Sequence, residues 1–164
     1  MDKFLKIASL LALLVINSAA IAADSHNHPK GGQGYTSLDA AVPRQIENDA
    51  RHEVVELFWY GCSHCYDFEP HLKKWKQDKA QDVNFVRVPA IFNPAWEQHA
   101  RAYYALELMD KLEQGHELLF SGIHEQGRSL RDLDSMARFL AANGIDEDKF
   151  RESFASFAVE TKIS

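Results

Sequence analysis

Cysteine is nearly absent from this 164-residue chain: there are two. A secreted domain stapled for stability would carry more, and a bridge across three positions closes almost no loop, so it adds little chain-entropy stabilisation. A structural zinc would need four ligands, usually two cysteine pairs or one pair with well-spaced histidines, and there is no second pair. Beyond the first residues the chain also lacks any apolar run of about 18 residues, the length a membrane-spanning helix needs. Basic excess is missing too, with 18 Lys and Arg against 24 Asp and Glu and a net charge of −6, which argues against a nucleic-acid partner. No internal repeat is apparent.

The two cysteines that are present stand three positions apart, in Cys62-Ser63-His64-Cys65, at the end of the apolar run Val54-Val55-Glu56-Leu57-Phe58-Trp59. A Cys-x-x-Cys that leaves a strand and opens a helix places one sulfur beside unpaired backbone N–H groups, where negative charge is favoured. The pair reads as a redox site. Metal binding is the competing reading, but His64 lies between the cysteines and His71 nearly two turns along the same helix. An inert structural disulfide is the remaining one.

At the amino end, Lys3 and Lys6 precede the apolar run Ile7 to Ile16, and Ala20-Ile21-Ala22 has the small-x-small form of a signal peptidase site. Residues 1–22 are therefore expected to be an export signal; the apolar core is too short to span a bilayer comfortably. Cleavage would remove Lys3, Lys6 and Asp2 and leave the mature chain slightly more acidic. A bacterial periplasm suits such a product. Residues 23–34, polar and glycine-rich, read as a flexible leader. Within it His26-Asn27-His28 could hold a metal weakly, although a histidine pair without fixed geometry is more often incidental.

Tyr35 to Leu38 is expected as a short edge strand, and Val54 to Trp59, nearly continuously apolar, as a strand covered on both faces. A helix from Cys62 to about Asp78 and a strand over Val83 to Val88 complete a βαβ unit with parallel pairing, within residues 35–92. The cysteines then sit at the carboxyl end of a strand and the amino end of a helix. Residues 93–164 read as a helical block. Asn93-Pro94 starts a helix with Trp96, Ala100 and Tyr103 on one face and Gly115 as its stop. A second helix covers His116 to Gln126. Leu130, Leu133, Met136, Ala137 and Leu140 mark a third before Asn143-Gly144, and Asp146 caps a fourth with Phe150, Phe154 and Phe157 on one side. These stripes are expected to be packed core, with a binding surface as the rarer meaning.

A βαβ unit with Cys-x-x-Cys at its turn, followed by a helical block, resembles the DsbA family of periplasmic thiol oxidases. The most specific part is Glu56-Leu57-Phe58-Trp59-Tyr60-Gly61-Cys62-Ser63-His64-Cys65-Tyr66-Asp67-Phe68-Glu69, with Asn143-Gly144-Ile145 and Ser156-Phe157-Ala158 matching turns and helices of the inserted domain. Family members commonly carry Pro-His between the cysteines; Ser63 departs from this and His64 keeps it. The resemblance implies an α/β, thioredoxin-like fold with an inserted all-helical domain, and no cofactor. It also implies that the final strands and helix are missing from this chain, which would leave the strand at Val54 to Trp59 and the Phe150, Phe154, Phe157 stripe short of cover. Pro89 is assigned as strand-terminating rather than as the family's cis-proline.

By the same resemblance the activity is thiol:disulfide oxidation of reduced, unfolded exported proteins, with a DsbB-like membrane quinone reductase as redox partner. A periplasmic disulfide reductase or isomerase is the alternative enzyme, and a chaperone-like or metal-binding module the alternative without catalysis. Cys62 at the helix start is expected to be the attacked sulfur, Cys65 the less accessible partner, and a protonated His64 to favour the Cys62 thiolate. Glu56, a carboxylate in a buried strand, must be protonated or paired. Arg87 could pair with it, and the resemblance adds Glu69 as a further acid beneath the helix. Proton relay or thiol tuning is one reading of these three; a salt bridge that satisfies only its own burial is the other.

Overall fold

The computed structural model describes residues 34–40, 42–45 and 52–164. The expected signal and the histidines at 26 and 28 lie outside them, as does the leader except Gly34. The chain forms two compact units, Met1–Val42 and Pro43–Ser164. In the first, the expected strand over Tyr35 to Leu38 reduces to a single bridge residue, Tyr35.

The second unit opens with β1 (His52–Phe58), followed by α1 (Ser63–Asp78) and β2 (Val83–Pro89). The two strands pair in parallel, with Glu56 opposite Arg87 and Phe58 opposite Pro89, so the βαβ unit is as expected. Pro89 ends β2, and Ala90 N–H still donates to Phe58 C=O at 2.8 Å. One expectation fails for β1. Among the described residues it pairs with β2 alone, and Val54, Val55 and Leu57 are 40%, 39% and 70% exposed, so it is not covered on both faces. Its apolar run is spent at the carboxyl end, where Phe58 is buried.

Five helices follow: α2 (Pro94–Leu108), α3 (Leu112–His124), α4 (Leu133–Ala142), α5 (Glu147–Phe154) and α6 (Phe157–Ile163). The cap signals at Asn93 and Asp146 hold, and the structure adds a third at Asp132. Asn93 Oδ1 accepts from the N–H groups of Ala95 and Trp96 and Pro94 occupies the first turn; Asp132 forms a reciprocal capping box with Ser135, and Asp146 accepts from Lys149 N–H.

Gly115 does not stop α2. That helix ends at Leu108, turns at Asp110 with φ 53°, and Gly115 lies buried inside α3 with Leu106 packed against it, so the second helix begins at Leu112 rather than His116. A glycine without a side chain here serves close helix packing, which sequence position alone does not distinguish from a stop.

Phe157 is also misplaced by spacing. Ala155 and Ser156 break the helix after Phe154, Ser156 caps α6, and Phe157 is 85% exposed while Phe150 and Phe154 are buried. The Phe150 and Phe154 rings therefore do not lack cover. They belong to one core with Phe58 and Tyr60 from the end of β1, Leu106 of α2, Leu119 and Phe120 of α3, Met136 and Leu140 of α4 and Val159 of α6. The segment entering the Cys-x-x-Cys is thus held by the helical block itself.

Candidate active site

Cys62 is the N-cap of α1: its N–H donates to Trp59 C=O at 2.9 Å and its Sγ accepts from Cys65 N–H at 3.4 Å. The first N–H groups of a helix have no partner within it, so a negative sulfur at this place is stabilised by their partial charge. Cys65 lies one turn further in, and both cysteines are unbonded and half-buried, so exposure alone does not rank them. Burial first, then the hydrogen bond with Cys62 and the nearby charges of Cys62 and Glu56, push the Cys65 thiol up to about 11. At neutral pH it stays protonated. Ser63 and His64 are exposed on the outer side of the first turn.

Beneath α1 the acids and the base named from sequence come together. Arg87 Nε donates to Glu56 Oε2 at 2.9 Å, and Arg87 Nη2 donates to both oxygens of Glu69, at 2.9 and 2.7 Å. Burial raises the Glu56 carboxyl above its ordinary value despite the guanidinium. Glu69 is also desolvated, but hydrogen bonds from His116 and Arg87 more than offset this and hold it below the ordinary carboxylate value.

The network continues through residues that spacing did not single out. His116 Nε2 stands 3.3 Å from Glu69 Oε1 and His116 Nδ1 3.0 Å from the Tyr60 hydroxyl. A carboxylate only accepts, so Nε2 carries the proton and Nδ1 accepts from Tyr60. Burial lowers the basicity of His116 and keeps the Tyr60 phenol protonated. Tyr60, His116, Glu69, Arg87 and Glu56 form one unbroken chain of hydrogen bonds. His116 shares a face of α3 with Leu119, Phe120 and Ile123; a histidine on an apolar stripe was the signal available for it.

On the other side of the turn, Trp59 stacks on Trp96 with centroids 4.4 Å apart and planes at 8°. Gly61 leaves room for this, since a methyl there would overlap the Trp59 ring. Tyr60 C=O is bonded by His124 Nε2 at 2.7 Å. Among the described residues no group of three or more His, Cys, Asp or Glu is placed to hold a metal ion.

Comparison with known proteins agrees with this geometry. The family model for a DSBA-like thioredoxin domain matches residues 72–164. The chain is 39% identical over 157 residues to the thiol:disulfide interchange protein DsbA of Pseudomonas syringae pv. tomato, covering 96% of this chain and 71% of that protein. It is 41% identical over 134 residues to the DsbA of Azotobacter vinelandii, covering 82% and 62%. The crystal structure of Pseudomonas aeruginosa DsbA superposes with a TM-score of 0.70 at 40% identity, over 77% of this chain and 65% of that one. An oxidoreductase from Neisseria meningitidis, at 23% identity, shares the fold with a TM-score of 0.69 over 81% and 69%. With a Cys-x-x-Cys capping the first helix of a thioredoxin-like fold, the chain belongs to the DsbA family of thiol:disulfide oxidoreductases.

Proposed function

We propose that this oxidoreductase is exported by residues 1–22 to a bacterial periplasm and there donates its Cys62–Cys65 disulfide to reduced, unfolded exported proteins. The observation that carries the reading is the place of Cys62 at the N-cap of α1, where a thiolate and with it the reduced form is favoured; the Cys65 thiol, pushed up to about 11, marks Cys62 as the attacked sulfur. A substrate thiolate attacks Cys62 Sγ; the Cys62–Cys65 bond breaks, and Cys65 leaves with the electron pair and takes a proton. A second substrate thiolate then attacks the substrate sulfur of the mixed disulfide, which forms the substrate disulfide and releases Cys62 as thiolate. Two electrons have moved onto the enzyme. A DsbB-like membrane quinone reductase is the partner that would remove them.

Stabilising the Cys62 thiolate stabilises the reduced enzyme and makes its disulfide the stronger oxidant, a linkage for which DsbA is itself the standard illustration. The helix terminus and a charged His64 both act in that direction. Glu56, with its raised carboxyl and its charge acting on Cys65, is suited to supply the proton that Cys65 takes up, with Arg87 and Glu69 holding it in place. A redox titration against glutathione tests the reading. A disulfide that oxidises glutathione is expected; a strongly reducing couple would make the chain a reductase. Mass measurement of the exported protein should place its first residue after Ala22.

A further inference from the structure

Two carboxylates share one guanidinium beneath the redox helix, yet the delivery of a proton to Cys65 asks only one of them to be a proton carrier. Arg87 reaches Glu56 through Nε and Glu69 through Nη2, one nitrogen for each acid. Both carboxylates are largely withdrawn from water. A single positive charge facing two buried acids favours one proton held between them, because a net buried charge is costly. The guanidinium by itself leaves open which acid holds that proton.

The difference is made from α3. Among the described residues Glu56 has no hydrogen-bond partner besides Arg87, whereas Glu69 has a second, His116 Nε2 at 3.3 Å. The imidazole is committed to this contact by its other nitrogen. The buried Tyr60 hydroxyl donates to Nδ1 at 3.0 Å, so the one ring proton faces the carboxylate. Rings of Phe58, Phe120 and Tyr103 stand around the imidazole, with centroids 5.2, 5.0 and 6.3 Å away, and fix its plane. An N–H aimed at a carboxylate favours its ionised form. The two acids part in that sense: burial raises Glu56, while Glu69, against its own desolvation, is held low by His116 ahead of Arg87. The other titratable groups around the cluster are Lys76 and Cys65 of α1, which act on or feel Glu56, and Glu113 of α3, which acts on His116.

Resting on the proton delivery from Glu56 put forward above, we propose that His116 is a positioning residue that holds the charge on Glu69 and so leaves the exchangeable proton on Glu56. When Cys65 leaves the broken disulfide with the electron pair, the proton passes from Glu56 to Cys65 Sγ. The Glu56 carboxylate that remains is balanced by Arg87 until a proton from solvent replaces the one it gave. Glu69 stays ionised throughout. The helical block thereby contributes a working residue to the redox centre, in addition to its packing.

The test is a carboxyl-carbon NMR titration of the oxidised full chain labelled at glutamate, with the two resonances assigned by their loss in Glu56→Gln and Glu69→Gln. Glu56 is expected to titrate above Glu69. In His116→Leu, which has neither donor nor acceptor, the Glu69 midpoint should rise and the Glu56 midpoint fall. The gap should narrow by about one pH unit, a ten-fold change in relative proton affinity, and the pH step of single-turnover exchange should move down with Glu56. His116→Gln offers an amide N–H to Glu69 and a C=O to Tyr60, so it should restore both the gap and the step; a role confined to packing predicts no such rescue. Tyr60→Phe keeps the ring in the core, removes only the hydroxyl that fixes the tautomer, and should narrow the gap in the same direction, which decides the matter if His116→Leu fails to fold. Unmoved midpoints in the folded variant, or Glu69 titrating above Glu56 in the unaltered chain, would overturn the assignment of His116. Failure of the proton delivery itself is a separate result, read as an unchanged exchange rate in Glu56→Gln while the effect of His116 on the two midpoints persists.

Discussion

Arg87 stands directly opposite Glu56 in the parallel ladder, and its Nε donates to Glu56 Oε2 at 2.9 Å with side chains 8% and 11% exposed. The pairing follows from strand register, since residues level with each other on neighbouring strands point to the same face. Removing one partner leaves the other charged and buried. Arg87→Met should therefore lower stability by about 3–5 kcal/mol, and Arg87→Met with Glu56→Leu should recover part of that loss, because Glu69 then keeps only His116 as a partner. Urea unfolding of the single and double variants checks this; equal loss in both would show that the pair itself is net stabilising.

Glu56→Gln separates proton delivery from structure. If Glu56 supplies the proton taken up by Cys65, the variant should react about a hundredfold more slowly in single-turnover exchange, with the pH step of the rate removed. A variant that changes the unfolding midpoint but not the exchange rate or its pH profile would reduce Glu56 to a partner for Arg87.

The two thiols of the reduced protein should differ sharply. With Cys65 held at about 11, iodoacetamide near neutral pH should label Cys62 first, read by peptide mass. Cys65→Ala should accumulate mixed disulfides with substrates and Cys62→Ala should not. Faster labelling of Cys65 would invert the assigned roles.

Stability should fall on the acid side of neutrality. Burial lowers both His99 and His116 from their ordinary value of 6.5, so the unfolded chain binds more protons than the folded one as pH drops below that value. The stabilisation is present above 6.5 and is lost as pH falls toward the folded values. Glu69, also lowered, adds a loss in the same direction at lower pH. Urea midpoints at pH 7.5 and 5.5 should show the drop, and His116→Gln should shrink it; a flat profile would mean the imidazoles are not buried neutral.

Gly115→Ala tests the contact of α2 with α3. The added methyl would overlap the Leu106 side chain, which is itself fully buried. A loss of about 1–3 kcal/mol is expected in thermal or urea unfolding, despite the better helix propensity of alanine. A gain would show that Leu106 repacks freely.

The βαβ unit and the caps at Asn93 and Asp146 were legible because each rests on local spacing, and Glu56 because it is a charge in an apolar strand with Arg87 on the next one; Glu69 entered only through the family resemblance. Gly115 and Phe157 were not legible, for one shared reason: whether a glycine ends a helix or lets another approach, and whether a stripe crosses a helix break, depends on a partner far away in sequence. His116 illustrates the limit most clearly. Its two partners, Tyr60 and Glu69, are 56 and 47 residues away, and no periodicity within α3 encodes them.

Phe58 and Tyr60 flank Trp59 on alternate positions, and both are anchored in the helical core. The loop carrying the reactive sulfur therefore has no separate unfolding route: freeing it requires extracting two aromatic side chains from between α2 and α3. Amide hydrogens of residues 58–62 should exchange through the same opening event as those of α2 and α3 rather than through a local fluctuation. Thiol reactivity and helix content would then disappear together on heating, which ties the lifetime of the redox centre to that of the whole helical block.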